Sequence, residues 1–152
     1  MSSRSNPDPL HVIYISRLAP DEDYRAFATV CRVASARNPE LGVGGMLLFD
    51  GERFCQWLHG AADAVSQMLA SIVLDQRHVD FKLLHLGSSD FTPINSSWCS
   101  RVVPPCALDV MDSKSLGSTE VLHTFMNVLA TTADLLSGLP LAESSKGRVK
   151  SG

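Results

Sequence analysis

The feature that most constrains the fold is a hairpin near the middle of the chain. GVGGMLLFD (42–50) and ERFCQWLH (52–59) are strand-like runs joined by Asp50-Gly51. That dipeptide is a strong tight-turn signal, because both residues tolerate left-handed backbone. Two neighbouring antiparallel strands are thus fixed, and the other elements must be arranged around them. Upstream, HVIYISRL (11–18) is rich in β-branched and aromatic residues and reads as a strand. Pro20 and Asp21 then open a helix, with Asp21, Glu22 and Asp23 in the first turn, where the helix dipole favours acids. Tyr24, Phe27, Cys31 and Ala34 recur at helical spacing and are expected to face inward, and the helix should end before Asn38-Pro39. Downstream, ADAVSQMLASIVLD (62–75) is an amphipathic helix with Val65, Met68, Leu69 and Ile72 inward. VDFKLLHLGSS (79–89) and WCSRVV (98–103) complete the strands, the last closed by Pro104-Pro105. The order βαββαββ predicts an α+β, ferredoxin-like sandwich: a five-stranded sheet with two helices on one face.

C-terminal helices follow. STEVLHTFMNVLATTADLLSG (118–138) places Leu122, Phe125, Leu129, Ala133 and Leu136 on one face, with Gly138-Leu139-Pro140 as a stop signal. That stripe either covers the second face of the sheet or pairs with another copy of the chain. The expected organisation is a polar tail at 1–9, a domain at 10–104, a helical extension at 105–140 and a polar tail at 141–152. With 45% hydrophobic and 19% charged residues the composition is globular, and a net charge of -3 lacks the basic footprint of nucleic-acid binding. No apolar run approaches the roughly 20 residues of a membrane helix. Cys31, Cys55, Cys99 and Cys106 form no CxxC or zinc spacing and read as reduced thiols of a cytoplasmic protein. His11, His59, His78, His85 and His123 show no HxxxH, and no GxSxG or Cys–His nucleophile signature is present, so no enzyme class is indicated.

Three polar residues stand in settings that should be apolar. Tyr14 lies inside VIYIS, Asn38 ends FATVCRVASARN, and Gln56 lies inside RFCQWLHG. Buried phenols and amides need partners. If their elements pack together, the three groups converge, and a flat hydrogen-bonding ligand would satisfy them. Each has an ordinary reading alone: a core tyrosine, a helix C-cap, an amide at a strand edge. Asp75, Arg77 and His78 alone are a solvated helix end.

VIYISRL, RNPELGVGGMLLFDGERFCQWLHG and the helix ending IVLDQRH occur in order. Through these pieces, without a gap from Tyr14 to His78, the chain resembles the BLUF family, flavin-binding blue-light sensor domains. The resemblance implies FAD between the two helices. Tyr14, Gln56 and Asn38 would meet the ring's hydrogen-bonding edge, and Val30 and Ile72 would clamp its faces. Asp75 and His78 would border the ribityl and phosphate side, where Arg77 lends charge. It also implies a light-driven electron and proton transfer from Tyr14, with Gln56 rearranging its hydrogen bonds. Trp98 and Ser100 of the fifth strand would relay the change to a downstream signalling protein, without enzymatic turnover. Apart from the resemblance, the tail stripe points to a homo-oligomer, and the charge and hydropathy to a protein that contacts neither nucleic acid nor membrane. The chain departs from the family pattern at Gly44 (commonly Thr), His59 (commonly Glu) and Ser71 (Arg in some members). Ser100 takes the place of a Met in the Trp98-Cys99-Ser100 alignment, and an ungapped alignment instead puts Ile94 and Ser96 there. The alternative function is an interaction module of this fold without photochemistry.

Overall fold

The computed structural model describes residues 8–89, 97–112 and 118–137, excepting the side chains of 118–119 and 132–137. Its elements are β1 (Leu10–Leu18), α1 (Tyr24–Glu40), β2 (Gly44–Phe49), β3 (Arg53–Gly60), α2 (Ala62–Val73), β4 (His78–Gly87), β5 (Trp98–Val102), α3 (Pro105–Asp109) and α4 (Ser118–Ser137). The sheet order is β4-β1-β3-β2-β5, antiparallel except for the parallel β2–β5 pair. This is the expected ferredoxin-like α+β plan with a fifth strand. The central hairpin closes as its sequence requires. Asp50 Oδ1 accepts from the backbone N–H groups of Glu52 (2.9 Å) and Arg53 (2.6 Å), and Gly51 takes φ +98°.

Strand alternation divides the buried residues between two faces. Val12, Leu47, Phe49, Phe54 and Leu58 pack beneath α1 and α2 with Ala34, Val65 and Met68. Ile13, Ile15, Leu48, Cys55 and Trp57 pack on the other side against Leu108 and Met111 and against Val121, Leu122, Phe125 and Val128 of α4. The α4 stripe therefore covers the second face of the sheet. Val121 and Val128 join Leu122 and Phe125 in it, while the side chains of Ala133 and Leu136 lie outside the described residues. So do Gly138-Leu139-Pro140, residues 1–7 and 141–152 of the expected tails, and Ile94 and Ser96. Among the described residues no helix is long and apolar enough to cross a membrane.

Three local expectations are corrected. The helix α1 starts at Tyr24, with the Asp23 carboxylate accepting from the Arg25 N–H as N-cap, so Asp21 and Glu22 precede it. Tyr24, at the first helical position, is 73% exposed rather than inward, and Ala26 is buried instead. The same helix runs through Asn38-Pro39 to Glu40 rather than stopping before them. Proline forfeits only its own N–H there, and the Leu41 N–H closes the last turn on the carbonyls of Arg37 (3.3 Å) and Asn38 (3.1 Å).

Two features tie the layers. Arg53, at the start of β3, donates to Asp50 Oδ2 (2.9 Å), Asp109 Oδ1 (2.7 Å), Asp112 Oδ2 (3.3 Å) and the Pro105 carbonyl (2.8 Å), binding α3 to the hairpin. In β4, the register passes from Ile15↔Lys82 to Arg17↔Val79, so Asp80 and Phe81 together oppose Ser16. Asp80 takes φ +53° at this bulge.

Candidate functional site

Tyr14 and Gln56 stand directly opposite each other on β1 and β3. Gln56 Nε2 donates to the Tyr14 hydroxyl at 2.6 Å, and Gln56 Oε1 accepts from Trp98 Nε1 at 2.8 Å. All three residues are buried. Burial pushes the Tyr14 phenol well above its usual range, against the opposing effect of the Gln56 hydrogen bond, so the phenol keeps its proton at neutral pH. Trp98 pairs with Gly45 across β2–β5, where the neighbouring strand carries no side chain. Gly45 has φ +138°, and a Cβ there would lie 1.8 Å from the Trp57 carbonyl oxygen. Only glycine fits that contact.

A cavity of about 250 Å³ opens beside this hydrogen-bonded chain. The sheet gives it Tyr14, Phe54 and Gln56; α1 gives Val30, Val33, Ala34 and Arg37; α2 gives Ser71 and Ile72; Asp75, Arg77 and His78 close one end. The structure thus brings together seven of the residues singled out in the sequence: Tyr14, Val30, Gln56, Ile72, Asp75, Arg77 and His78. Asn38 is fully buried in the last turn of α1, just behind the cavity-lining Arg37, whose Nε donates to Asn38 Oδ1 at 3.3 Å. Trp98 reaches the site through Gln56. Ser100 does not: it is exposed on β5.

The cavity end is charged but locally neutralised. Arg77 grips Asp75 through Nε (3.0 and 3.1 Å) and Nη2 (2.8 Å), and its N–H donates to Asp75 Oδ1 at 2.9 Å. Burial pushes the Asp75 carboxyl up, but these bonds outweigh it and hold the group below its usual range. His78 Nε2 is bonded to the Ile72 carbonyl at 2.6 Å, which directs Nδ1 elsewhere. Two buried polar atoms in or next to this site have no protein partner: Nδ1 of the lining residue His78, and Nδ2 of Asn38, which follows the lining residue Arg37; Ser16 Oγ, elsewhere on β1, is a third. Unpartnered buried polar atoms are costly, and one at a concave pocket suits a ligand with hydrogen-bonding edges. Apolar Val30 and Ile72, the aromatic Tyr14 and Phe54, and the cations Arg37 and Arg77 suit a flat heteroaromatic ring carrying a phosphorylated tail. Among the described residues no His, Cys, Asp or Glu cluster could hold a metal ion.

Four lining residues escape a reading of sequence alone, and the fifth, Ala34, is expected to face inward but not as part of a site. Phe54 is two residues before Gln56 and shares its strand face; Val33, Ala34 and Arg37 continue Val30 at helical spacing. Either periodicity would have reached them. Ser71 stands out only as a departure from the family pattern.

Comparison with known proteins is consistent with this geometry. Residues 10–92 match the family described as BLUF, sensors of blue-light using FAD. The chain is 34% identical over 67 residues to the blue light- and temperature-regulated antirepressor BluF of Escherichia coli (strain K12), covering 44% of this chain and 17% of that protein. It is 28% identical over 85 residues to the photoactivated adenylate cyclase subunit beta of Euglena longa, covering 56% of this chain and 10% of that protein. The chain therefore spans a small part of these curated relatives. In fold it is similar to the dark-state structure of BlrB, a BLUF protein, with a TM-score of 0.65 and 22% identity over 82% of this chain and 96% of the other.

Proposed function

The chain belongs to the BLUF family, sensors of blue light using FAD, and from that premise we propose that Tyr14 and Gln56 carry its light response, with FAD in the cavity between α1 and α2. The observation that carries this reading is the unbroken Tyr14–Gln56–Trp98 hydrogen-bonded chain along the cavity wall. Bound FAD supplies a blue-absorbing ring that accepts an electron when excited and returns it afterwards.

On this reading the protein's own groups have separate tasks. Val30 and Ile72 would flank the ring, and Asn38 Nδ2 and His78 Nδ1 would gain the partners they lack. Arg37 and Arg77 would supply positive charge for the phosphates. Tyr14 would give up an electron and then its hydroxyl proton; Gln56, whose Nε2 donates to that hydroxyl, can take the proton only after its own hydrogen bonds are rearranged. Gln56 cannot simply rotate: turning its amide end for end would set Nε2 against the Trp98 N–H, two donors facing each other. Either Gln56 changes tautomer or Trp98 withdraws, and both alter the bond between the sheet's centre and β5. A two-state change of this kind biases the elements packed on it. The domain consumes no substrate in this cycle and signals by contact with a partner protein. A relative named as an antirepressor supports that mode of output.

The test is the absorption spectrum of the protein purified with FAD, in darkness and directly after blue light. A reversible red shift is expected. Tyr14→Phe and Gln56→Leu should each retain FAD and abolish the shift; a normal photocycle in either variant overturns the mechanism. A yellow protein whose spectrum never moves supports instead the module without photochemistry.

A further inference from the structure

We propose that Phe81 is a positioning residue for the Tyr14–Gln56 pair: its ring, stacked on the phenol, fixes the plane in which the Tyr14 hydroxyl meets Gln56 and favours electron loss from Tyr14. The inference rests on the reading of Tyr14 as electron donor given above.

The two rings lie 4.9 Å apart between centroids at 25°, a stacked arrangement. The sheet partner of Tyr14 on β4 is Leu83, so Phe81 is its diagonal neighbour, within reach of an aromatic side chain. The β4 bulge stands immediately beside this contact. There Asp80 takes a left-handed backbone, which Asp tolerates better than most non-glycine residues. Bulges re-aim the side chains next to them. His78 completes the packing, 6.2 Å from both Tyr14 and Phe81, with its ring edge-on to Phe81. The phenol is therefore held by its hydroxyl on Gln56 and by its ring on Phe81. A tyrosine with one hydrogen bond and no stacked neighbour still turns about its ring axis; the stack opposes that motion.

The second effect is electronic. The face of an aromatic ring is electron-rich and attracts positive charge. Once Tyr14 has lost one electron to the light-excited flavin, its ring is electron-poor until the hydroxyl proton leaves. Phe81 stabilises that ring more than it stabilises the neutral phenol. An aliphatic side chain of similar bulk does not.

The chain has two tyrosines, Tyr14 and Tyr24. In a Tyr24→Phe background, with tyrosine rings isotopically labelled, the full-length protein without FAD gives nuclear resonances from Tyr14 alone. Ring-current-shifted Tyr14 signals and slow ring flipping are expected. Phe81→Leu should return the shifts toward ordinary values and speed flipping, whereas Phe81→Tyr should preserve both. With FAD bound, Phe81→Leu should lengthen the flavin fluorescence lifetime several-fold, and the same change in a Tyr14→Phe background should add nothing. Should Phe81→Leu fail to fold, Phe81→Met removes the aromatic face at similar bulk. Unchanged Tyr14 resonances, or an unchanged lifetime while Tyr14→Phe lengthens it, overturn the positioning role. A lifetime unaffected by Tyr14→Phe itself overturns Tyr14 as donor, and the electronic half of this proposal with it.

Discussion

Asn38 is where the proposed FAD site can be tested apart from the fold. Its Oδ1 has a partner in Arg37, but its Nδ2, fully buried, has none. An unsatisfied buried donor is a liability of about 1–3 kcal/mol until something binds it. Asn38→Ala should therefore leave the FAD-free protein as stable as before, or slightly more so, while weakening FAD binding by roughly tenfold or more. Chemical denaturation without FAD and a flavin titration would show the two effects in opposite directions; equal losses in both would place Asn38 in the fold and not in the site. Tyr14, Asn38 and Gln56 were visible in the sequence because polar groups inside apolar runs stand out. Phe54 did not stand out, being apolar in an apolar strand, nor did Arg37, a charge near a helix end. Neither residue type is unusual in its local setting, and only the assembled cavity gives them a common purpose.

At the level of elements, the hairpin, the helices and the strands were legible from turn chemistry and periodicity, and the errors fell at helix ends. There single hydrogen bonds decide, as with Asp23 at the start of α1 and Leu41 at its close. Two junctions between elements make predictions. Arg53 joins β3 to α3 and partners an Asp50 carboxylate whose side chain is 1% exposed. Removing the cation leaves that buried carboxylate with only its two backbone N–H donors and no counter-charge, so Arg53→Ala should destabilise the fold by about 3 kcal/mol in urea unfolding. The second junction joins β1, β3 and α4. His11 accepts the Trp57 indole N–H at Nδ1 (3.0 Å), lies 5.6 Å from the ring of His59 on the facing strand, and is 2% exposed; Trp57 in turn meets Phe125 of α4 edge-on at 5.5 Å. Burial, then the neighbouring His59 and His85, lower the His11 pKa to about 4. Between that value and the usual 6.5 the unfolded chain binds a proton that the folded chain does not. The sign is therefore a loss of stability as pH falls from 6.5 toward 4, on the order of 3 kcal/mol in total. Thermal unfolding at pH 7.5 and pH 5 should show this drop, and His11→Gln, which keeps an acceptor for Trp57, should lessen it.

Across the whole molecule, the sheet is a partition with the proposed light site on one side and α4 on the other. Gln56 and Trp57 are consecutive, and alternation sends the first into the cavity wall and the second against Phe125. Whether α4 covered the sheet or another molecule could not be read from its sequence, because an apolar stripe records that it is buried, not by what. With α4 in place, a rearrangement at Gln56 has one residue of backbone to cross. Amide hydrogen exchange in α4 should accordingly differ between dark and illuminated protein, and the difference should vanish in Gln56→Leu; identical exchange in light and dark would exclude α4 from the response. Gly45 sets a boundary on all of this. Its missing side chain leaves the space taken by the Trp57 carbonyl, next to the strand position of Trp98. For anyone tuning the protein's colour or memory, that spot is closed to every residue larger than hydrogen. Adjustable variation has to enter from the periphery, at Phe81 or Trp98, while the crossing point itself stays invariant by geometry.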